Sequence, residues 1–278
     1  MGILYLVATP IGNLEDISAR ALRILREVQL IAAEDTRHTR KLLAHFDIHT
    51  PLTSYHQHSQ PTRLEQILSA LEKGDVALVS DAGTPALNDP GYELVCAALD
   101  RGFPVSTIPG PCAPIAALVV SGLPTGQFTY YGYLPPKAGQ RRRMLREILD
   151  HPRTLIFLEA PHRLRAALED IQNVLGDRQI AIARELTKLH EEVFRGQISA
   201  AQTHFASKEP LGEFTLVIAG KVTETEPWPE GKLNRALTEH LASGESSSQI
   251  AASLAAQSGW SRRVIYQLIN ETRKTTEE

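Results

Sequence analysis

The sequence has few cysteines, and they form no recognisable metal-binding or disulfide pattern. Its 278 residues include only Cys96 and Cys112, which are not spaced as a CxxC pair. We therefore expect neither a disulfide framework nor a zinc site, and both side chains are predicted to be small core residues. His56 and His58 have a spacing that could seat a metal on a strand, but no cluster of carboxylates or cysteines lies near them in the sequence. No metal site is predicted.

A strong excess of charge and a long apolar run are also absent. The net charge is −3 and the pI is about 6.4, which excludes a protein that binds polyanions over its whole surface. Any contact with nucleic acid must come from local patches. No uninterrupted apolar run reaches the roughly 18 residues of a membrane span, and residues 1–8 lack the features of a signal peptide. A cytoplasmic protein without a membrane segment is expected.

Two common phosphate-binding motifs are missing. The sequence contains no GxxxxGK[ST] motif, so a P-loop is excluded. It contains no GxGxxG after its first predicted strand either, which excludes the dinucleotide-binding fingerprint and the usual glycine run of Rossmann methyltransferases.

Short apolar runs that alternate with segments of helical periodicity are the main feature present. This alternation is typical of stacked βα units on a largely parallel sheet, and the predicted fold class is α/β. We predict two α/β domains, residues 1–121 and 122–222, and a small helical unit of helix-turn-helix type, residues 230–278. The predicted strands are 3–9, 30–33, 76–80, 105–108, 128–132, 154–158, 180–183 and 214–219.

Three loops that follow predicted strands are rich in glycine and proline. They cover residues 9–16, 80–91 and 109–113. Ligands of parallel sheets bind at the carboxyl ends of strands, and glycine lets the backbone approach a ligand closely. A carboxylate at Asp81 suits a ligand with hydroxyl and ammonium groups, such as S-adenosylmethionine, better than a phosphate. Alternatively, Asp81 only caps the helix that follows it.

An ordered set of motifs over residues 3–220 resembles the tetrapyrrole-methylase superfamily, in its branch of ribosomal RNA cytidine-2′-O-methyltransferases. The motifs are LYLVATPIGNLEDIS, AAEDTR, VALVSDAGTPALNDPG, IPGPCA, FLEAPHR, ARELTK and GEFTLVIAG. The resemblance implies two α/β domains with the methyl donor, S-adenosylmethionine, in the cleft between them, a homodimer and no metal. It also implies these donor-binding residues: Pro10, Gly12, Asp81, Ala82, Gly83, Thr84, Pro85, Gly110, Pro111, Cys112, Ala113, Tyr133 and Thr215.

Methylation of a ribose requires activation of its 2′-hydroxyl, which is a poor nucleophile. The candidates for a base or an orienting group are Glu34, Asp35, Glu185 and Lys188, and Arg37 and Arg184 are candidates for holding phosphate. The alternative for each is a structural ion pair, and Glu34–Arg37 also has the pattern of a capped helix start.

Basic residues are concentrated in two places. Between residues 137 and 165 eight basic residues accompany three acidic ones, and Arg141, Arg142, Arg143 and Arg146 are predicted to contact RNA phosphates. Arg262 and Arg263 begin the last predicted helix and are the RNA-binding candidates of the tail. The alternatives are a solvated helix face for the first group and a docking or packing role for the tail.

The predicted function is transfer of a methyl group from S-adenosylmethionine to the 2′-oxygen of a cytidine in 16S ribosomal RNA, free or in the small ribosomal subunit. One alternative with the same fold is a tetrapyrrole C-methyltransferase of precorrin or uroporphyrinogen. Another, of a different class, is an RNA-binding protein without enzymatic activity. Donor binding distinguishes the enzymes from the binding protein.

Overall fold

The computed structural model describes residues 2–56, 61–207, 209–221, 228–243 and 245–277. The chain divides into two compact units, Met1–Lys221 and Val222–Glu278. Residues 222–227 lie outside the described residues; the Pro-, Glu- and Thr-rich composition of residues 223–231 is that of a linker.

The first unit begins with a five-stranded parallel sheet of strand order β3-β2-β4-β1-β5. Its strands are β1 (Leu4–Val7), β2 (Leu30–Ala33), β3 (Leu52–Ser54), β4 (Val76–Val79) and β5 (Val105–Ile108). β4 is the central strand, and β1 lies between β4 and β5, with Leu4 opposite both Val76 and Val105. All four residues of β4 are buried, as expected for a central strand of a sheet that is covered on both faces.

Five helices accompany this sheet. They are α1 (Ala19–Glu27), α2 (Thr36–His45), α3 (Pro61–Lys73), α4 (Tyr92–Asp100) and α5 (Ala113–Val120). Leu25 of α1 and Leu43 of α2 belong to one apolar cluster, whereas Leu68 of α3 and Leu94 of α4 belong to a second. Alternate residues of β4 contribute to the two clusters, which therefore cover opposite faces of the sheet.

A second five-stranded sheet has the order β6-β7-β10-β8-β9. Its elements are β6 (Phe128–Tyr133), α6 (Ala138–Glu147), β7 (Thr154–Glu159), α7 (Leu164–Leu175), β8 (Gln179–Arg184), β9 (Glu192–Gln197), α8 (Ile198–Ala206) and β10 (Phe214–Ile218). Only β6 and β7 pair in parallel, whereas β10 is antiparallel to both of its neighbours and β9 is antiparallel to β8.

The prediction of a largely parallel sheet is therefore wrong for this half of the unit. The physical reason is that β9 follows β8 after a short loop and pairs with it directly, and an antiparallel pair needs no helical crossover. β9 was not predicted, because its sequence EVFRGQ carries polar side chains and lies at the sheet edge.

The change from the first sheet to the second lies after the predicted boundary at residue 121. Nevertheless α5, which precedes that boundary, packs on the second sheet, because Ala117 and Leu118 belong to the same buried apolar cluster as Ile156 and Val217. This packing joins the two halves into one compact unit.

The C-terminal unit contains three helices, α9 (Glu230–Ala242), α10 (Ser247–Ser258) and α11 (Arg262–Glu277). Leu237, Leu254 and Ile265 are central to its core, and Trp228 and Trp260 pack against it. Ser246 and Gln249 form a capping box at the start of α10. No helix in the described part of the chain is both long enough and apolar enough to cross a membrane.

Candidate functional site

The three glycine- and proline-rich loops meet at the carboxyl ends of β1, β4 and β5. Thr9 and Gly83 exchange two backbone hydrogen bonds of 2.9 and 3.0 Å, which tie the loop after β1 to the loop after β4. The Thr84 hydroxyl donates to the Pro111 carbonyl oxygen at 3.0 Å and ties the β4 loop to the β5 loop. Gly83 has a φ of +84°, a left-handed conformation that favours glycine.

A cavity of about 210 Å³ lies between these loops and the second sheet. Tyr130 and Tyr133 of β6 and Thr215 of β10 contribute to its far wall. The β4 loop also reaches the second sheet, because a side chain at Gly132 would meet the Asn88 amide nitrogen at 2.4 Å. This donor cavity, as we name it, is thus framed by both sheets.

The structure brings most of the predicted donor-binding residues to this cavity. Its lining includes Asp81, Ala82, Gly83, Thr84, Cys112, Ala113, Tyr133 and Thr215. Pro10 and Gly12 line a second, adjoining cavity instead. Pro85, Gly110 and Pro111 line neither cavity. Gly110 has a packing role, because a Cβ there would meet the Ala8 Cβ at 2.9 Å.

Carboxylates dominate the polar wall of the donor cavity. The acidic side chains are Glu34, Asp81, Asp89, Glu159, Glu185 and Glu213, whereas Lys188 is the only basic side chain that the described residues contribute to the lining. Burial, together with the nearby charge of Glu34, raises the pKa of Asp89 to about 6. Burial likewise raises the pKa of Glu34 and of Glu159 above the usual range for a glutamate. The wall therefore favours a cationic ligand and disfavours a phosphate.

Asp81 connects the β4 loop to the end of β2. Its Oδ1 accepts the Asp35 backbone N–H at 3.1 Å, and the Asp81 N–H donates to the Glu34 carboxylate at 3.3 Å. The N-cap of α4 is Gly91, so Asp81 does not cap the following helix. Asp81 lines both cavities and marks the place where they meet.

Three of the four candidate bases, Asp35, Glu185 and Lys188, are held in ion pairs. The Arg37 guanidinium is 2.7 Å from the Asp35 carboxylate, and hydrogen bonds from Arg37 lower the pKa of Asp35. Asp35 is also the N-cap of α2, which is the structural alternative considered for this motif. Burial opposes ionisation of Glu185, but hydrogen bonds from Lys188 and from the Glu213 N–H outweigh it and lower the pKa of Glu185. Glu34 is the one candidate carboxylate with a raised pKa.

The ELTK segment, residues 185–188, is latched to the β1 loop. The Asn13 N–H donates to the Thr187 hydroxyl at 3.0 Å, and a Cβ at Gly12 would meet Lys188 Cγ at 2.4 Å. Glu185 and Thr187 have positive φ values of 49° and 65°, which are uncommon for residues with side chains. Strained backbone of this kind concentrates at functional sites.

Two buried polar atoms at the donor cavity lack partners within the described residues. They are the Tyr130 hydroxyl and Oε2 of Glu159. The other oxygen of Glu159 accepts from the Ala160 N–H and pairs with Arg163 at 2.6 Å. A buried polar atom without a partner is costly, so both atoms suit a ligand that offers hydrogen bonds. S-adenosylmethionine fits this wall, since it carries amino and hydroxyl donors and a positive sulfonium.

One predicted RNA contact is wrong. The Arg141 side chain is only 4% exposed, and its Nε donates to the Asp170 carboxylate at 2.7 Å, so it cannot reach a phosphate. On the same helix Arg142, Arg143 and Arg146 are exposed. Their RNA contact stays a prediction.

The remaining predicted phosphate ligands lie elsewhere. Arg184 lines neither cavity, because its guanidinium donates to the Leu211 carbonyl oxygen at 2.7 Å and to Glu192 at 3.4 Å. Arg262 and Arg263 are exposed at the start of α11, and Arg262 donates to the Ser248 hydroxyl at 2.9 Å.

Gln57 and His58, from the segment whose histidine spacing was considered for a metal, lie outside the described residues.

Sequence reasoning missed several residues of the donor cavity, among them Asp89, Glu159, Glu213 and Tyr130. Asp89 closes the same loop as Asp81, Glu213 precedes β10, and Tyr130 lies on β6. A signal existed for Asp89, because it stands in the quoted β4-loop motif and is a second carboxylate there. Glu213 likewise stands in the quoted motif GEFTLVIAG, and Glu159 stands in FLEAPHR. Nothing local distinguishes Tyr130 from an ordinary strand residue.

Comparisons with known proteins agree with this geometry. The family model for tetrapyrrole (corrin/porphyrin) methylases matches residues 3–202. A protein of Synechocystis sp. named ribosomal RNA small subunit methyltransferase I is 49% identical, over 96% of this chain and 97% of its own. Proteins of the same name from Halalkalibacterium halodurans and Escherichia coli O157:H7 are each 46% identical, over 97% and 92% of this chain and 95% and 90% of their own.

Solved structures share the fold. Diphthine synthase superposes with a TM-score of 0.59 at 16% identity, covering 78% of this chain and 90% of its own. Uroporphyrin-III-C-methyltransferase from Thermus thermophilus gives a TM-score of 0.56 at 22% identity, covering 79% and 94%. These likenesses confirm the predicted α/β class, and the family match confirms the resemblance found in the motifs. The chain therefore belongs to the tetrapyrrole (corrin/porphyrin) methylase family.

Proposed function

We propose that this protein transfers a methyl group from S-adenosylmethionine to the ribose 2′-oxygen of a cytidine in 16S ribosomal RNA. The acid-walled donor cavity at the carboxyl ends of β1, β4 and β5 carries the proposal. The curated relatives add the RNA of the small ribosomal subunit as the substrate class, because their name states it. The motifs of residues 3–220 add the ribose 2′-oxygen and the cytidine through their resemblance.

The chain's own residues account for donor binding by charge and shape. Asp81 and Asp89 place negative charge beside the cavity, where it attracts the ammonium and sulfonium groups of S-adenosylmethionine. The Tyr130 hydroxyl and Glu159 Oε2 supply hydrogen-bonding atoms that have no other partner within the described residues. When bound, the donor supplies an electrophilic methyl group that leaves its sulfur as the ribose oxygen attacks.

Glu34 is our candidate for accepting the proton of the 2′-hydroxyl. Its carboxylate lies at the wall of the donor cavity and accepts the N–H of Asp81, which stands where the two cavities meet. Burial raises the pKa of Glu34, and a carboxylate with a raised pKa is a better base than one of ordinary pKa. Lys188 is paired with Glu185 and orients the ELTK segment.

Three further properties belong to the proposal. The substrate is the RNA itself or the assembled small subunit, contacted by Arg142, Arg143 and Arg146 and by Arg262 and Arg263 of the tail. We propose a homodimer, since apolar side chains such as Val119 and Tyr92 on helices α5 and α4 are 66% and 73% exposed. We also propose a cytoplasmic location, where ribosomal RNA is modified.

The test is a methyl-transfer assay with labelled S-adenosylmethionine and three acceptors: isolated small subunits, purified 16S RNA and uroporphyrinogen III. We expect label in at least one of the two RNA acceptors, recovered as 2′-O-methylcytidine after digestion, and none in the tetrapyrrole. Label on the tetrapyrrole alone would support the tetrapyrrole enzyme. Absence of donor binding would support a binding protein without activity.

A further inference from the structure

A second cavity adjoins the donor cavity. Its volume is about 530 Å³, and its wall is formed by the β1 loop, one side of α2, Asp81 and Ala82 of the β4 loop, Lys188 and Glu213. The two cavities share Asp81, Lys188 and Glu213, so a group bound in one lies next to a group bound in the other. A cavity of this size accommodates a ligand as large as a nucleotide.

The α2 side of this cavity is basic, in contrast to the acidic donor cavity. Helix α2 has the sequence TRHTRKLLAH, which includes Arg37, Arg40 and Lys41 and no acidic residue. His38 and Lys41 are exposed, lie one turn apart on the same side of the helix, and line the second cavity. Within the described part of the chain neither side chain has a salt bridge, so both are available to an anionic ligand.

Apolar side chains complete the wall. Leu14 from the β1 loop and Leu42 from α2 line the same cavity, beside Pro10 and Ile11. A surface that combines cations with apolar side chains matches a nucleotide of RNA, which has a charged phosphate and a flat base. An anionic ligand that has no apolar part would leave the Leu14 and Leu42 side chains without a contact.

We propose that this second cavity is the acceptor site for one nucleotide of the RNA substrate. Lys41 and His38 bind a phosphate next to the reacting nucleotide, Leu14 and Leu42 contact its base, and the ribose lies at Asp81, where the two cavities meet. The proposal rests on the proposed function. It adds a binding site and three residues that lie outside the motifs, His38, Lys41 and Leu42, because AAEDTR ends at Arg37, just before His38.

The experiment uses full-length Lys41→Ala, His38→Ala and the double variant, with Lys73→Ala as the matched control. Lys73 is an exposed lysine in the last turn of α3, which leads into the amino end of β4, at the opposite sheet edge from Asp81. Methyl-transfer kinetics, small-subunit RNA binding at several salt concentrations, and S-adenosylmethionine binding by calorimetry are measured for each protein. Thermal unfolding confirms that each variant is folded.

We expect Lys41→Ala to raise KM for RNA about tenfold with little change in kcat, because a charge-assisted contact to phosphate is lost. The slope of log affinity against log salt should fall by about 0.7 for each phosphate contact removed. Lys41→Arg should restore most of the RNA affinity. Donor affinity and the behaviour of Lys73→Ala should match the wild type.

If the wild type methylates RNA and Lys41→Ala has the same RNA kinetics as Lys73→Ala, the acceptor site is overturned and the proposed function still stands. A loss of donor affinity in the α2 variants would assign the second cavity to the donor and also overturn it. A wild-type protein that methylates no ribosomal RNA would refute the proposed function, and this proposal with it.

Discussion

Asp89→Asn tests the electrostatic basis of donor binding. Asp89 lines the donor cavity, and burial and the Glu34 charge raise its pKa to about 6 from the ordinary 3.8. At pH 7.5 the carboxylate is ionised and attracts the positive donor. At pH 5 it is mostly protonated, and binding must first expel the proton. Because the ionised fraction of Asp89 falls between pH 7.5 and pH 5, the donor affinity of the wild type should weaken about tenfold over this range.

The asparagine variant lacks this proton equilibrium. Donor affinity measured by calorimetry should therefore be weaker than wild type at pH 7.5, and the two proteins should converge at pH 5. Glu34 titrates in both proteins, so the ratio of their affinities reports Asp89 together with its coupling to Glu34. A ratio that is the same at both pH values would refute this role of Asp89.

Asp89→Asn should weaken donor binding at pH 7.5 but raise the stability of the donor-free protein at the same pH. A carboxyl whose pKa is raised by folding binds its proton more tightly in the folded protein than in the unfolded chain. The stability that this proton provides is complete below pH 3.8 and is lost as the pH rises through about 6. Asp89→Asn should thus stabilise the donor-free protein at pH 7.5, measured by chemical denaturation, and have little effect at pH 4. If Asp89→Asn were less stable than the wild type at pH 7.5, the claim that burial and neighbouring carboxylates oppose the ionisation of Asp89 would be contradicted.

Three further predictions concern other parts of the molecule. Asp81→Ala should weaken donor binding by about 1–3 kcal/mol in calorimetry, and unchanged affinity in a folded variant would remove Asp81 from the site. Arg141→Ala should lower the free energy of unfolding by about 3–5 kcal/mol, because Asp170 keeps a buried charge, whereas Arg143→Ala should change it by less than about 0.5 kcal/mol; equal effects in denaturation would contradict the burial of Arg141. Removal of residues 230–278 should leave a folded protein that binds the donor but no longer methylates RNA; full activity would show that the tail is dispensable, and lost donor binding would place it in the catalytic unit.

Local patterns in the sequence were enough to predict four of the five strands of the first sheet and its ligand loops, whereas the three-residue edge strand β3 was not predicted. Strands such as 76–80 are short apolar runs, and the loops that follow them are marked by glycine and proline, so both signals lie within a few residues. The position of the loops at one sheet edge then follows from parallel pairing alone. This reasoning located the donor cavity through Asp81 and Gly83.

Features that depend on distant partners could not be predicted in the same way. The sequence RRR at residues 141–143 has the pattern of an exposed basic patch, and only the fold places Asp170 against Arg141. The antiparallel second sheet depends on β10 inserting between β7 and β8, which no local periodicity specifies. The partners of Glu185 could not be fully predicted either, because its carboxylate accepts not only from the nearby Lys188 but also from the backbone N–H of Glu213, which is distant in the sequence.

Ribose methylation of small-subunit ribosomal RNA is best tested in cells with and without the gene. The measurement is a map of 2′-O-methylation in that RNA. The gene-deleted cells are complemented with the wild-type protein or with Asp81→Ala. We expect a 2′-O-methylcytidine that is present with the gene, absent without it, and restored by the wild type but not by the variant. Identical ribose-methylation maps in the two strains would contradict it.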